Sequence, residues 1–208
     1  KRINSVIIAT TNKQNDDLIE NEAFKLKVNC FRGSEDDVLD RFYQAAKNYE
    51  PDYIVRLTSD CPLIDPNLID EIIDQTIKTN ADYCSNTLIE SYPDGQDVEV
   101  FTFKLLKKTW EESILKSDRE HVTPFMKNNK IQFNLVNFHS KNLEYEKVRM
   151  TIDEPEDFEV ITFLINKLGF DESWQNYAKL YLNDKNISRL NNSIIRNEGY
   201  LKSIENDL

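Results

Sequence analysis

Short apolar runs alternate with helix-spaced segments along the first half of the chain, and this alternation limits the possible folds more than any other feature of the sequence. Ser5–Thr10, Val28–Phe31 and Tyr53–Thr58 are rich in apolar or β-branched residues and are predicted as strands. Asp16–Leu26 and Asp65–Thr79 carry apolar residues at helical spacing. The repeated strand–helix order predicts an α/β, Rossmann-like fold with a mainly parallel sheet, flanking helices and right-handed crossovers.

The other elements are predicted from spacing and end signals. Glu35–Asn48 is expected to form a helix, because Ser34 is a suitable N-cap and the first turn is acidic. Further strands or extended segments are expected at Asp82–Thr87, Val98–Phe103, Ile131–Phe138 and Lys147–Ile152. Further helices are expected at Lys104–Leu115, Glu120–Lys127 and Glu154–Leu168. Ser173–Leu208 is expected to form two or three short helical pieces without a strong apolar face.

The acidic charge of the chain restricts its partners. The formal net charge is −11, so long-range repulsion opposes binding to nucleic acids and anionic membranes. The sequence contains neither an apolar run long enough to span a bilayer nor a signal-peptide pattern. Cys30, Cys61 and Cys84 lack zinc-site spacing and are expected to be reduced thiols of a cytoplasmic protein.

Asp60 follows the predicted strand that carries Arg56, at the position where parallel α/β sheets bind ligands. Strand alternation places Arg56, Thr58 and Asp60 on one face, and Ser59 lies beside them. A carboxylate next to a cation is suited to hold Mg²⁺ on phosphate oxygens. A helix N-cap or a surface turn before Pro62 explains Asp60 equally well from spacing alone.

Asp153 is a second carboxylate at a predicted strand end. It precedes the acidic first turn Glu154–Asp157, so an N-cap is the more common use of an aspartate there. A carboxylate at this position would also complete a divalent-metal site with Asp60.

Acidic and basic side chains with possible binding roles lie outside these two strand ends. Asp97 and Glu99 follow Gly95, which is expected to supply a turn with positive φ, and they are either sugar-hydroxyl acceptors or solvated acids. Arg149 lies in an apolar strand and needs a partner, either Glu99 or an anionic substrate.

Two further segments contain possible anion donors. Arg119 and His121 are either donors to a carboxylate or phosphate, or part of an exposed, salt-bridged helix start. Arg32, Gly33 and Ser34 form a strand–loop–helix turn that offers backbone N–H groups to a base or ribose, although a plain turn explains them equally well.

Six groups of motifs follow one another along the chain: Phe31–Arg41, Arg56–Asp65, Ala81–Tyr83 with Ser85–Thr87, Tyr92–Gly95 with Asp97–Phe101, Arg119–Pro124, and Arg149 with Thr151–Asp157. In this order and number they resemble the spore-coat polysaccharide biosynthesis cytidylyltransferases, relatives of the CMP-KDO and CMP-sialic acid synthetases. The ending Ile194–Tyr200 resembles the tail of many members. The resemblance covers nearly all of the chain and implies a nucleotide-diphospho-sugar transferase fold.

The resemblance also implies an activity and a set of roles. CMP is transferred from CTP to a hydroxyl of an acidic or amino sugar, pyrophosphate leaves, and Mg²⁺ is held by Asp60 and Asp153, with Arg56 as a further catalytic residue. The implied nucleotide-binding residues are Arg32, Gly33, Ser34, Thr58 and Ser59. The implied sugar-binding residues are Asp97, Glu99, Arg119, His121 and Arg149.

The same resemblance implies a domain plan and a homodimer. Residues 1–170 are expected to be the nucleotidyltransferase domain, with residues 82–140 as its sugar-binding and dimerisation part and residues 171–208 as a helical tail. The region around Asp94–Pro124 is the expected dimer contact.

One element of the family is not found in this sequence. Members begin with a strand and a loop that cradles the triphosphate, whereas Val6–Thr10 aligns with their second strand, so about one βα unit of roughly forty residues is expected to be missing. The alternatives are a catalytically incomplete fragment that binds a sugar or a partner, and a glycosyltransferase of related fold. A glycosyltransferase would normally show a clustered Asp-x-Asp, which Ser59-Asp60-Cys61 does not.

Overall fold

The computed structural model describes residues 2–205 and residue 207. The strands are β1 (Ile7–Thr11), β2 (Asn29–Gly33), β3 (Tyr53–Arg56), β4 (Tyr83–Ser85), β5 (Glu99–Thr102) and β6 (Leu135–Asn137). The helices are α1 (Asp17–Leu26), α2 (Val38–Ala46), α3 (Pro66–Thr79), α4 (Phe103–Glu112), α5 (Lys116–His121), α6 (Pro124–Asn128), α7 (Pro155–Leu168), α8 (Trp174–Asn183), α9 (Lys185–Asn191) and α10 (Glu198–Glu205). Short 3-10 helices occupy Gln14–Asp16 and Leu143–Lys147.

The strands form two sheets. β1 pairs with β2 in parallel, from Ile7 opposite Asn29 to Thr11 opposite Gly33. The second sheet has the order β3-β5-β4-β6, and its β4 and β6 are parallel. Helices separate most strands along the chain, so the predicted α/β fold is confirmed.

The chain divides into two compact units, and the division falls inside β3 and inside β5. The first unit comprises Lys1–Ile54, Phe101–Asn134 and Asn197–Leu208, and the second comprises Val55–Val100 and Leu135–Arg196. The predicted functional roles of residues 82–140 and 171–208 stay predictions.

Within the first unit, α2 packs against β1, β2, α4 and α5. Its Leu39 is fully buried, and its Tyr43 stacks on Trp110 with ring centroids 4.2 Å apart. The indole N–H of Trp110 also donates to Asp40 Oδ1 at 2.8 Å. This aromatic and polar contact fixes α4 against α2.

The start of α2 differs from the prediction. Asp37, not Ser34, is the N-cap, and its Oδ1 accepts a hydrogen bond from the Asp40 N–H at 2.9 Å. Ser34 Oγ instead accepts from the Asp37 N–H at 3.0 Å and closes the preceding turn. The prediction of a helix from Glu35 was wrong because two capping side chains follow each other, and the second one starts the helix.

In the second unit, α3 begins and ends as predicted. Asp65 Oδ1 accepts from the Asn67 N–H at 2.8 Å, and Pro66 occupies the first turn. The helix ends at Asn80, whose left-handed backbone has φ of 47°. Its apolar stripe is buried and packs on β4; the stripe consists of Leu68, Ile69, Ile72 and Ile73.

Two predicted strands differ most from the structure. Ile131–Phe138 contains only β6. No regular strand occupies Lys147–Ile152 in the described structure. The N–H of Met150 donates to Asp94 O at 2.7 Å, while that of Ile152 donates to Asp60 O at 2.9 Å. Because this segment bonds to two separate loops, no continuous ladder forms, and the strand prediction was wrong.

The C-terminal segment contains helices, as predicted, but the expectation that it lacks a strong apolar face was wrong. Helix α8 buries Trp174, Tyr177, Ala178 and Tyr181, which recur at the spacing of one helix face. Helices α8 and α9 pack against α7. Residues 174–191 are therefore part of the second unit's core.

Candidate active site

Asp60 and Asp153 come together through their backbones in the second unit. The main-chain oxygen of Asp60 accepts hydrogen bonds from the Ile152 N–H at 2.9 Å and from Thr151 Oγ1 at 3.4 Å. Asp153 follows Ile152 directly, so the two predicted metal carboxylates occupy neighbouring backbone positions. The Asp153 side chain remains 53% exposed, which leaves it accessible to a ligand.

The residues around Asp60 form a short loop after β3. Thr58 and Ser59 are exposed, whereas the Cys61 side chain is buried. The Cys61 thiol donates to Asp60 Oδ1 at 3.4 Å and lies 3.4 Å from Thr58 Oγ1. Burial, followed by the charge of Asp60, raises the pKa of Cys61 well above its usual range. The thiol therefore stays protonated and orients the Asp60 carboxylate.

Arg149 links three aspartates. Its Nε and Nη2 bind both oxygens of Asp157 at 2.9 and 2.8 Å, its Nη1 binds Asp94 Oδ2 at 2.8 Å, and its Nη2 binds Asp153 Oδ2 at 2.8 Å. These bonds replace the predicted alternative of a pair with Glu99. Arg149 thus orients Asp153 and bridges it to the segment around Gly95.

Burial and charge oppose each other in this network. Burial lowers the pKa of Arg149, but its hydrogen bonds to Asp157 and the charge of Asp94 outweigh burial and raise that pKa. Burial raises the pKa of Asp157, but hydrogen bonds from Arg149 and Asn191 outweigh it and lower that pKa. The pair is therefore ionised at neutral pH.

Arg56 is held by a buried acid. Its Nη1 binds Glu99 Oε2 at 2.5 Å, and the Tyr83 hydroxyl donates to Glu99 Oε1 at 2.6 Å. The Glu99 side chain is only 4% exposed. Burial, followed by the charge of Glu99, raises the pKa of Tyr83, so the phenol remains a donor. This arrangement favours a positioning role for Glu99 over contact with a sugar.

The loop before β5 passes very close to the Arg149 segment. Gly95 has φ of 94°, which confirms the predicted positive value. A Cβ atom at Gly95 would lie 2.4 Å from Met150 O and 2.7 Å from Thr151 N. Only glycine permits this approach, which brings Asp94 to Arg149 and leaves Asp97 half-buried nearby in the chain.

The predicted base- or ribose-binding residues of the loop after β2 lie in the first unit. The Arg32 guanidinium donates to Thr11 O at 2.9 Å and to Asp17 Oδ1 at 2.6 Å, so it stabilises the turn after β1. Gly33 ends β2, and Ser34 is half-buried beside it. A nucleotide-binding role for Arg32, Gly33 and Ser34 stays a prediction.

Arg119 and His121 also lie in the first unit, on α5. Arg119 Nε donates to Asp37 Oδ2 at 2.7 Å, and its Nη1 donates to Trp110 O at 3.2 Å. His121 Nε2 lies 2.9 Å from Ser203 Oγ. These contacts join α5 to α2, α4 and α10, and a sugar-binding role for both residues stays a prediction.

In the second unit, Arg149 binds Asp94, Asp153 and Asp157, Arg56 binds Glu99, and Arg196 binds Asp97. Asp60 reaches the Arg149 segment through its backbone, and Thr58 and Ser59 precede it on the same loop. One shared site for the predicted residues of this unit stays a prediction; they are Arg56, Thr58, Ser59, Asp60, Asp97, Glu99, Arg149 and Asp153. Sequence reasoning missed the roles of Asp157, Asn191 and Arg196. Asp157 stands four residues after Asp153, about one helix turn, in the acidic first turn predicted from the sequence.

The donor set fits a magnesium ion that is shared with a substrate. Mg²⁺ commonly takes one or two protein carboxylates and completes its shell with phosphate oxygens and water. Asp60 and Asp153 are two carboxylates whose backbones lie side by side. Among the described residues, no group of three or more His, Cys, Asp or Glu side chains is arranged to hold a metal ion.

The α/β fold matches the nucleotide-sugar transferase fold of cytidylyltransferases. A family model described as cytidylyltransferase matches residues 1–188. The chain belongs to the cytidylyltransferase family, which confirms the resemblance predicted from its motifs.

Two curated relatives are similar over most of the chain. The spore coat polysaccharide biosynthesis protein SpsF of Bacillus subtilis is 34% identical over 167 residues, which are 79% of this chain and 68% of SpsF. An uncharacterized protein of Methanocaldococcus jannaschii is 44% identical over 163 residues, which are 77% of this chain and 65% of that protein. The chain therefore spans slightly less than two thirds of the archaeal relative's length.

Solved structures share the fold. A cytidylyltransferase from Leptospira borgpetersenii superposes with a TM-score of 0.83 at 34% identity, covering 91% of this chain and 80% of that one. CMP:2-keto-3-deoxy-manno-octonic acid synthetase, solved with CTP, has a TM-score of 0.54 at 12% identity over 79% of this chain and 82% of its own, which is a likeness of fold alone. In the described part of the chain, no helix has the length and apolar character needed to cross a membrane.

Proposed function

We propose that the protein transfers CMP from CTP to a hydroxyl of an acidic or amino sugar, as a step in surface polysaccharide biosynthesis. Membership of the cytidylyltransferase family and the similarity to SpsF support this proposal. The observation that carries it is the hydrogen bond from the Ile152 N–H to Asp60 O, because this bond places the backbone of Asp60 beside that of Asp153, the second carboxylate proposed for a nucleotide-bound metal.

Five charged residues of the second unit have places in the proposed reaction. The sugar hydroxyl attacks the α-phosphorus of CTP, and pyrophosphate leaves. Asp60 and Asp153 would hold Mg²⁺, which would supply neutralisation of the phosphate charge. Arg56, oriented by Glu99, stabilises the negative charge of the transferred group. Arg149 holds the Asp153 carboxylate in place.

The test is an assay of the purified protein. Pyrophosphate release is measured with CTP, Mg²⁺ and a panel of acidic, amino and neutral sugars, and UTP, ATP and GTP serve as nucleotide controls. We expect release that requires CTP, Mg²⁺ and one class of sugar. A folded protein that releases no pyrophosphate with any combination would overturn the proposal.

We also propose that the protein works as a cytoplasmic homodimer. Cys61 and Cys84 are buried free thiols, which are typical of a reducing compartment. Ile114 is 90% exposed and Leu115 is 47% exposed, and both lie in the predicted contact region. Large apolar side chains exposed next to each other are typical of subunit contacts.

A further inference from the structure

Arg196 is a largely buried cation among the acids of residues 90–97. Its Nη2 donates to Asp97 Oδ1 at 2.5 Å, and its Nη1 donates to Tyr92 O at 3.2 Å. Its Nε lies 3.6 Å from Glu90 Oε1 and 3.7 Å from Asp94 Oδ1. The Arg196 side chain is 14% exposed, so these acids form most of its surroundings.

Asp94 is shared between Arg196 and Arg149. Its Oδ2 accepts from Arg149 Nη1 at 2.8 Å, while its Oδ1 faces Arg196. Because Arg149 also binds Asp153, opposite charges alternate in the order Asp153, Arg149, Asp94, Arg196, Asp97. In such a network each charge restrains its neighbours, so Asp97 and Asp153 are linked through shared partners.

Charge balance explains why the network needs Arg196. Three carboxylates, those of Glu90, Asp94 and Asp97, surround it within one short segment. Burial raises the pKa of Asp94, and the charges of Arg196 and Arg149 oppose that rise. Without Arg196, repulsion among these acids would move Asp97, which Arg196 binds by a direct hydrogen bond.

We infer that Arg196 is a positioning residue that fixes Asp97 for its contact with the acceptor sugar. The inference rests on the proposed function, in which Asp97 binds a sugar hydroxyl. Arg196 acts through Asp97, because its own side chain is only 14% exposed and donates to Asp97 Oδ1. Its loss is therefore expected to change the handling of the sugar more than the handling of CTP.

The experiment compares Arg196→Gln, Arg196→Lys and Asp97→Asn in the full-length protein by steady-state pyrophosphate release. We expect Arg196→Gln to raise KM for the sugar about tenfold, the effect of losing one charge-assisted hydrogen bond, with a clearly smaller change in KM for CTP. Arg196→Lys should recover part of the loss. Arg196→Gln should add little in an Asp97→Asn background. Arg189→Gln, at an exposed arginine on α9, is the matched control.

Each outcome separates this inference from the proposed function. A wild-type protein without activity overturns the proposed function and the inference with it. If the wild type is active but the Arg196→Gln variant has an unchanged KM for the sugar, or equal rises in KM for the sugar and for CTP, the inference alone is overturned. If Arg196→Gln does not fold, Arg196→Lys and Asp97→Asn decide: a selective rise of the sugar KM in both supports the inference, and its absence in either overturns it.

Discussion

At the scale of single residues, Asp157 has the most demanding environment. Its side chain is fully buried, and it accepts five hydrogen bonds: two from Arg149, one from Asn191, and two from the backbone N–H groups of Asp153 and Glu154. It therefore orients Arg149 and the first turn of α7 at once. Removing its charge leaves a buried arginine with fewer partners.

We expect Asp157→Asn to lower the free energy of unfolding by about 3–5 kcal/mol at pH 7, because it breaks a buried ion pair. The pKa of Asp157 is lowered in the folded protein, so its stabilisation is complete above the unfolded pKa of about 4 and is lost as pH falls through the folded value. Denaturant unfolding between about pH 2 and pH 7 should show a shallower acid limb in the variant. Glu156→Gln, an exposed neighbour, is the control; equal acid limbs for Asp157→Asn and wild type would contradict the assignment.

Asp60→Asn should weaken Mg²⁺-dependent CTP binding about tenfold or more, because the amide is a poorer ligand for a hard cation. Calorimetry with and without Mg²⁺ measures this effect, and Asp171→Asn at an exposed site is the control. Asp153→Asn should weaken the same binding, with stability measured in parallel. Loss of stability without loss of metal-dependent binding would assign Asp153 a purely structural role.

Gly95→Ala should destabilise the protein by about 4 kcal/mol, since the new Cβ would lie 2.4 Å from Met150 O. Gly169 provides a matched comparison, because it also has positive φ but meets no atom within 4 Å. Gly169→Ala should cost only about 1 kcal/mol. Equal losses in denaturant unfolding would show that backbone conformation, and not close approach, is what Gly95 supplies.

At the scale of elements, α8 and α9 are linked to the Arg149 network by buried hydrogen bonds. Tyr181 on α8 donates to Asn191 Oδ1 on α9 at 2.8 Å, and Asn191 Nδ2 donates to Asp157 Oδ1 on α7 at 2.8 Å. A continuous set of buried bonds thus runs from the C-terminal helices to Arg149. The buried aromatic face of α8 holds that helix against α7 and α9, the helices that carry Asp157 and Asn191.

Substitutions at Tyr181 separate packing from hydrogen bonding. Tyr181→Phe keeps the ring and removes the hydroxyl, and we expect a loss of about 1 kcal/mol. Tyr181→Ala removes a fully buried ring and should cost about 4 kcal/mol. Thermal or denaturant unfolding measures both, and a phenylalanine variant as unstable as the alanine variant would show that the hydroxyl network dominates.

At the scale of the whole molecule, a net charge of −11 makes close approach of two copies unfavourable unless an apolar surface compensates. Ile114 is suited to that role because most of its side chain is exposed. A proposed dimer through this region should therefore strengthen as salt screens the repulsion.

We expect Ile114→Glu to shift the proposed dimer to monomer in light-scattering measurements at micromolar concentration. Ile131→Glu is the control, because Ile131 is fully exposed in the same unit but lies outside the predicted contact region. A wild-type monomer at all concentrations, or equal dissociation by both variants, would contradict the predicted contact.

Features that depend on local rules were predictable from the sequence, and features that depend on distant partners were not. The cap at Asp65, the positive φ of Gly95 and the strand-end position of Asp60 follow from neighbouring residues. The partners of Arg149 were not predictable, because Asp94 reaches it from a loop whose path is set by the contact of Gly95 with Met150. The regular strand predicted at Lys147–Ile152 does not form, because its N–H groups bond to the loops of Asp94 and Asp60, which are distant in sequence.

The hydrogen bonds of Arg149, Asn191 and Arg196 also have a consequence for the order in which the protein is made. Asp60 is synthesised about one hundred residues before Asp157, and still further before Asn191 and Arg196. Because a domain generally folds as a unit, its fold is completed only after these later residues have emerged. Until residue 196 has been synthesised, Asp94 and Asp97 lack Arg196, one of the cations that bind them in the finished fold. The nascent chain therefore cannot assemble a complete charge network, and a protein truncated before Arg196 would carry the predicted site residues without the cation that binds Asp94 and Asp97.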